Sequence, residues 1–189
     1  MSWCNASSKH TMLMATEKNP DPNSFAEPVQ VQVDVQVAAD QSNVPPESDI
    51  RNWLGQVVAE VGTGMARNVE ISVRIVDEAE CRALNKQFRK TNSATNVLSF
   101  SLLDESLKDL PLEAPLALGD IVICGPVVAR EASEQGKKSS DQWAHLLVHG
   151  ALHLFGYDHG TDQEAQEMET LEARILAHGG IENPYETRD

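Results

Sequence analysis

Three histidines within one short stretch constrain this chain more than any other feature. His149 and His153 are four residues apart, so on a helix their imidazoles project from one face, one turn apart. Gly156 then permits a left-handed exit from the helix, and the chain turns back to present His159. Three imidazoles on one divalent ion, with a fourth position left open, form a known catalytic zinc arrangement. The spacing therefore predicts that these histidines bind one Zn²⁺ ion.

The residue that follows the first histidine argues against one class of zinc enzyme. Metallopeptidases with the motif H-E-x-x-H use the glutamate as a general base, and Gly150 occupies that position here. Phosphodiester cleavage does not need that glutamate. Metal-activated water or a ribose 2′-hydroxyl can attack while a cation steadies the charged transition state.

Two polar neighbours of the histidines have more than one interpretation. His145 lies one further turn upstream on the same helix face, where we favour packing over a role in orienting a ligand. Asp158 precedes His159 directly, and it can either orient an imidazole or accept backbone hydrogen bonds in the turn. The sequence leaves both roles of Asp158 open.

Composition and charge narrow the function classes further. The 189 residues carry a net charge of −14, so nucleic acid is repelled on average and its binding requires a local basic patch. No apolar run approaches the roughly 20 residues of a membrane span. Three cysteines at wide spacing (Cys4, Cys81 and Cys124) predict free thiols in a reducing compartment, and hence a cytoplasmic protein.

The hydrophobic periodicity predicts an α+β fold with a small mixed sheet of about four strands and about five or six helices. We expect a disordered N-terminal arm over residues 1–28, a single domain over residues 29–183 and a loose tail over residues 184–189. Strands are predicted over residues 29–38, 69–76, 95–102 and 116–124, with a mobile loop over residues 103–115. A glycine inside the last strand, Gly119, predicts a bulge or a close backbone approach.

Helix ends and helix faces give sharper expectations. Asp77 is predicted to cap the second helix in a capping box with Glu80, and Ser139 or Ser140 with Asp141 to cap the histidine helix. Pro126 starts the helix between them. The helix over residues 161–178 is predicted to turn its acids outward and to bury five apolar side chains: Ala165, Met168, Leu171, Ile175 and Leu176.

A basic stripe also lies on the helix that follows Asp77. It consists of Arg82, Lys86, Arg89 and Lys90, and from spacing alone we favour a solvated face over a binding surface.

The histidine stretch resembles the H-G-x-L-H-L-x-G-Y-D-H signature of the YbeY family, the bacterial endoribonucleases of rRNA maturation. Three upstream segments are similar to further motifs of that family, in the same order: 84–89 to L-N-x-x-[YF]-R, 95–100 to T-D-V-L-S-F and 118–121 to L-G-D-I. The resemblance covers roughly residues 29–181. One departure is Asn96, which stands where the family usually has an aspartate.

The resemblance implies roles for named residues. His149, His153 and His159 would be the zinc ligands, and Arg89 would bind the substrate phosphate or stabilise the transition state. It further implies cleavage of single-stranded RNA, maturation of the 16S rRNA 3′ end and a part in ribosome quality control. Because the chain is acidic, a ribosomal protein or a ribosome-associated GTPase is an expected partner.

Two other functions compete with this expectation. One is another zinc hydrolase, against which Gly150 counts. The other is a non-catalytic ribosome-assembly or RNA-binding factor with a structural zinc, whose fourth ligand would be Cys124.

Overall fold

The computed structural model describes residues 29–40, 42–62, 68–103 and 114–186. Nine elements follow one another within this part of the chain: β1 (Val31–Val37), α1 (Glu47–Val61), β2 (Val69–Val76), α2 (Glu78–Arg89), β3 (Val97–Ser101), β4 (Leu116–Cys124), α3 (Gly125–Glu134), α4 (Ser139–Leu154) and α5 (Asp162–His178). The predicted α+β fold with about four strands is confirmed. The predicted arm over residues 1–28 and most of the predicted loop over residues 103–115 lie outside the described residues.

The four strands form one mixed sheet in the order β1-β2-β4-β3. β1 and β4 both run parallel to β2, and β3 pairs with β4 in the antiparallel sense at the edge of the sheet. The register between β2 and β4 shifts opposite Gly119, whose φ is +139°, and a Cβ there would collide with the carbonyl oxygen of Phe100. The predicted irregularity at Gly119 is confirmed.

The sheet separates two hydrophobic clusters of unequal size. Alternating residues of β2, from Val69 to Ile75, join α1, α4 and α5 in the larger cluster. The smaller cluster lies against α2 and α3 on the other face and contains Val76, Cys81, Leu98, Val122, Cys124 and Val127. The larger cluster therefore anchors the histidine helix α4, while the smaller one supports the basic helix α2.

Helix α4 packs unusually closely on the edge strand β3, and Gly150 makes this possible. A Cβ at position 150 would meet Ser99 Oγ at 3.0 Å and Ile121 Cγ2 at 3.1 Å. The hydroxyl of Ser101 adds a hydrogen bond to the carbonyl oxygen of Leu154 at 2.9 Å. His149, the neighbour of Gly150, thereby lies beside the edge strand and shares a cleft with its residues.

The predicted helix caps are confirmed only in part. Asp77 accepts the backbone N–H of Glu80 at 2.8 Å, but the Glu80 carboxylate binds Arg74 Nε instead of completing a capping box. The predicted cap of α4 is wrong: Lys138 is the N-cap residue and contributes no side-chain hydrogen bond. The complete capping box lies on α5, between Thr161 and Glu164.

The predicted buried face of α5 is correct except for one residue. Met168, Leu171, Ile175 and Leu176 are buried, and Ala165 is half-buried. Glu172, which was expected to face solvent with the other acids, is fully buried. Among the described residues, no helix is long and apolar enough to cross a membrane.

Candidate metal centre

His149 and His153 lie on one face of α4, and both are half-buried. Their Nε2 atoms are 3.1 Å apart and their ring centroids are 4.6 Å apart. The helical spacing of four residues produces this approach, as the sequence predicted.

A hydrogen bond on the far side of each ring fixes its tautomer. His149 Nδ1 lies 2.7 Å from Glu172 Oε1, and His153 Nδ1 lies 2.8 Å from the carbonyl oxygen of Tyr157. A carboxylate and a carbonyl can only accept, so each Nδ1 carries a proton and donates it. In the neutral rings both Nε2 atoms are therefore left with a lone pair.

This arrangement fits a metal cation. Two acceptor nitrogens 3.1 Å apart repel unless a metal ion or a proton lies between their lone pairs. A third histidine, His159, joins them, and one ligand atom from each of the three lies within 4.8 Å of the others. Imidazole nitrogens oriented by hydrogen bonds through their other ring nitrogen are the usual ligands of zinc.

His159 reaches the site through a tight turn after α4. The backbone N–H of Tyr157 donates to the carbonyl of Leu152 at 3.1 Å, and Gly156 between them has a φ of +87°. The His159 ring stacks on His149 at a centroid distance of 5.6 Å. Asp158 Oδ1 accepts the backbone N–H of His159 at 2.8 Å, so of its two predicted roles the structure shows the one in the turn.

Burial also keeps the imidazole of His153 neutral. Burial lowers the pKa of His153, and the neighbouring His149 lowers it further. A neutral imidazole is the form that binds a metal ion.

Glu172 is the residue of the candidate site that the sequence interpretation missed. Its side chain is 1% exposed. Burial raises its pKa, but hydrogen bonds from His145, His149 and Tyr185 outweigh burial and lower the pKa to about 2. Glu172 is therefore an ionised carboxylate behind a candidate ligand. One feature of the sequence could have indicated that Glu172 is buried. It lies at helical spacing within the apolar face formed by Met168, Leu171 and Ile175.

His145 belongs to the same polar network. Its Nε2 lies 3.1 Å from Glu172 Oε2 and 3.2 Å from the Tyr185 hydroxyl. Our preference for simple packing is wrong, because His145 contacts the carboxylate that holds His149. Tyr185 also donates to Glu172, so a residue of the predicted loose tail takes part in the network. Residues 187–189 of that tail lie outside the described residues.

The three histidines share a cleft of about 590 Å³ with Arg89. The exposed Arg89 side chain extends from the last turn of α2, and its Nη2 lies 3.4 Å from the carbonyl oxygen of Ser99 on β3. Within the described part of the chain, no carboxylate pairs with this guanidinium. Arg89 is thus a free cation beside the histidines, whereas Arg82, Lys86 and Lys90 do not line the cleft.

Asn96 lines the same cleft, and its amide suits its surroundings better than a carboxylate would. Its Oδ1 accepts the backbone N–H of Val97 at 2.7 Å, and its Nδ2 donates to Glu131 Oε2 at 3.0 Å. An aspartate here would face the Glu131 carboxylate without a proton to share.

Cys124 is not close to the histidines. It is buried in the smaller cluster with Cys81, and burial raises the pKa of its thiol to about 11. Both cysteines are free thiols, as predicted, while Cys4 lies outside the described residues. Among the described residues, the ligand group consists of the three histidines alone.

Comparison of the sequence with known proteins identifies the family of the chain. The sequence profile described as Endoribonuclease YbeY matches residues 34–180. The chain belongs to the YbeY family. The match includes the three histidines, Arg89 and Glu172, and it ends before Tyr185.

Several relatives of known name share about half of the residues. Endoribonuclease YbeY of Halorhodospira halophila is 50% identical over 147 residues, which cover 78% of this chain and 92% of the relative. The Alkalilimnicola ehrlichii protein of the same name is 51% identical over 150 residues, covering 79% and 87%. The Xanthomonas campestris pv. campestris protein of that name is 48% identical over 160 residues, covering 84% and 95%.

Proposed function

We propose that this YbeY family member is a zinc-dependent endoribonuclease whose RNA phosphate binds between Arg89 and the three histidines. One observation carries the zinc site: the Nε2 atoms of His149 and His153, each left with a lone pair, lie 3.1 Å apart in the cleft that Arg89 also lines. The names of the relatives supply the reaction class.

In this proposal the residues of the cleft have different roles. His149, His153 and His159 would hold the zinc ion, which would supply Lewis-acid chemistry for a phosphate oxygen and a nucleophile. Arg89, which no carboxylate of the described residues pairs with, binds the phosphate and stabilises the negative charge that develops on it. Glu172 and the Tyr157 carbonyl orient His149 and His153.

The same geometry disfavours a peptidase. The position that carries the general base in H-E-x-x-H peptidases is Gly150, which is buried against β3. An added Cβ would already lie only about 3 Å from Ser99 Oγ and Ile121 Cγ2, so a glutamate there would be overpacked.

Metal analysis paired with cleavage of end-labelled single-stranded RNA tests the proposal. Arg89→Glu should keep one zinc ion per chain and lose about 100- to 1000-fold in turnover, the size of a lost transition-state donor. Arg82→Glu, a change of the same charge two turns upstream on α2, should lose far less. Cleavage by Arg89→Glu at the wild-type rate, or by the wild type equally well without zinc, would contradict the proposal.

We also propose a ribosomal substrate, on the resemblance to the YbeY family. In this proposal the chain acts in the cytoplasm on single-stranded rRNA, at the 16S 3′ end and in ribosome quality control. The net charge of −14 supports guidance by a ribosomal protein or a ribosome-associated GTPase, because the average surface repels RNA. Equally tight binding to bare RNA and to ribosomal particles at physiological salt would contradict that guidance.

A further inference from the structure

The short segment after α5, residues 181–186, contacts the domain through Ile181 and Tyr185. The backbone N–H of Ile181 donates to the carbonyl of Leu176 at 3.1 Å, and the Ile181 side chain packs on the larger cluster. Tyr185 contacts Glu172 and His145. A cavity of about 630 Å³, lined by His145, Leu176 and Pro184 among others, lies beneath the segment. Tyr185 is therefore one of the contacts that hold the segment, and it is the one that reaches Glu172.

A local turn directs Tyr185 towards the network. Asn183 Oδ1 accepts the backbone N–H of Tyr185 at 3.0 Å, and the Asn183 carbonyl accepts that of Glu186 at 3.4 Å. The Tyr185 ring meets the His145 ring edge to face, with centroids 5.6 Å apart. Although the residue is 40% exposed, its hydroxyl reaches the fully buried Glu172.

We propose that Glu172 is a positioning residue for His149 and that Tyr185 holds it in place, so that docking of residues 181–186 and zinc binding strengthen each other. This inference rests on the zinc site of the proposed function. It goes beyond that function by making a segment outside the matched family region part of the metal site.

The two carboxylate oxygens of Glu172 have different hydrogen-bond partners. Oε1 holds His149 Nδ1, whereas Oε2 holds Tyr185 and His145. Without Tyr185, the carboxylate loses a donor and gains freedom to rotate away from His149. The His149 ring is then less ordered before zinc arrives, and ordering it consumes binding free energy.

The coupling must be reciprocal. If a docked segment raises zinc affinity by some factor, bound zinc must favour the docked segment by the same factor. Zinc should therefore slow any local opening of residues 181–186.

Zinc affinity, measured by competition with a chromophoric chelator, is the first test. Glu172→Gln should weaken zinc binding by about 10- to 100-fold, as is typical of partners that orient a ligand. Tyr185→Phe, which keeps the ring and removes the hydroxyl, should weaken it by about threefold or more. Glu167→Gln is the control, since it removes an exposed acid of the same helix and should leave the affinity unchanged.

Two readouts do not depend on catalysis. In the metal-free protein, ¹⁵N shifts of His149 should report a protonated Nδ1 in the wild type and a mixture of tautomers in Glu172→Gln. Hydrogen exchange of the Tyr185 amide should slow on zinc addition in the wild type but not in Tyr185→Phe. Circular dichroism confirms that each variant is folded.

The outcomes separate this inference from the proposed function. If Tyr185→Phe binds zinc as tightly as the wild type, and zinc slows exchange of its residue-185 amide as much as in the wild type, the coupling is overturned, even if the wild type cleaves RNA. Unaltered affinity and unaltered His149 shifts in Glu172→Gln would overturn the positioning role. A wild type that binds zinc and shows the coupling, but does not cleave RNA, would refute the proposed function alone.

Discussion

The two candidate ligands on α4 and the third candidate ligand in the following turn are held in different ways. His149 and His153 are half-buried on a helix anchored in the larger cluster, and each ring is held through Nδ1. His159 is exposed, and within the described residues its ring contacts the other two imidazoles but makes no hydrogen bond. In the proposed zinc site, His149 and His153 would therefore form a preorganised pair, and the metal would order His159.

Removing one ligand of each kind gives the largest expected contrast. His153→Ala should abolish stoichiometric zinc and RNA cleavage, because the helical pair is broken while the fold survives. His159→Ala should cost less, about 10- to 100-fold in zinc affinity, since water can replace a ligand from an exposed turn. Zinc analysis and chelator competition measure both losses.

His178→Ala is the control for these two variants, because His178 is an exposed histidine at the end of α5. It should retain zinc and activity. Equal losses in His153→Ala and His159→Ala would contradict the distinction between the preorganised pair and the third ligand.

Gly150→Ala tests the close packing of α4, which carries His149 and His153, on the sheet. An added methyl group would press on Ser99 and Ile121, and overpacking of this kind costs about 1–3 kcal/mol. Denaturant unfolding should therefore show a less stable protein despite the better helix propensity of alanine.

Gly55→Ala is the matched control, since Gly55 lies in α1 and its added Cβ meets only Val31 Cγ1, at 3.9 Å. That variant should gain up to about 1 kcal/mol from helix propensity. Stabilisation by Gly150→Ala would show that α4 and β3 are not tightly packed.

Gly156→Ala should have the smallest effect and should act on the turn that places His159. Its φ of +87° strains an alanine by about 1–2 kcal/mol, although the space around it is open. Gly136→Ala, with a φ of +61° and equally open space, should lose similar stability. Only Gly156→Ala should also weaken zinc binding. Equal zinc affinity in the two variants would show that the turn at Gly156 does not affect the zinc site.

Local patterns predicted the parts of the fold that depend on local spacing. The alternating valines of β1 and the i, i+4 histidines of α4 follow from strand and helix periods, and the structure confirms both arrangements. The caps were harder, because Glu80 has two available partners and only the tertiary structure brings Arg74 to it.

Long-range polar contacts could not be predicted in this way. Glu172 looks like one more acid on an acidic helix, and its partners lie 23 and 27 positions upstream on α4. Nothing local indicates that α5 turns this carboxylate towards His149. The same applies to Arg89, whose place beside the histidines depends on the packing of α2 and β3, and whose predicted role came from family resemblance.

X-ray absorption spectroscopy of the zinc-loaded wild type tests the central claim most directly. A site made by His149, His153 and His159 with an open fourth position predicts three imidazole nitrogens and one light non-protein ligand around the zinc. Sulfur in the first shell would place a cysteine on the metal and indicate a closed structural site. That result would contradict the account.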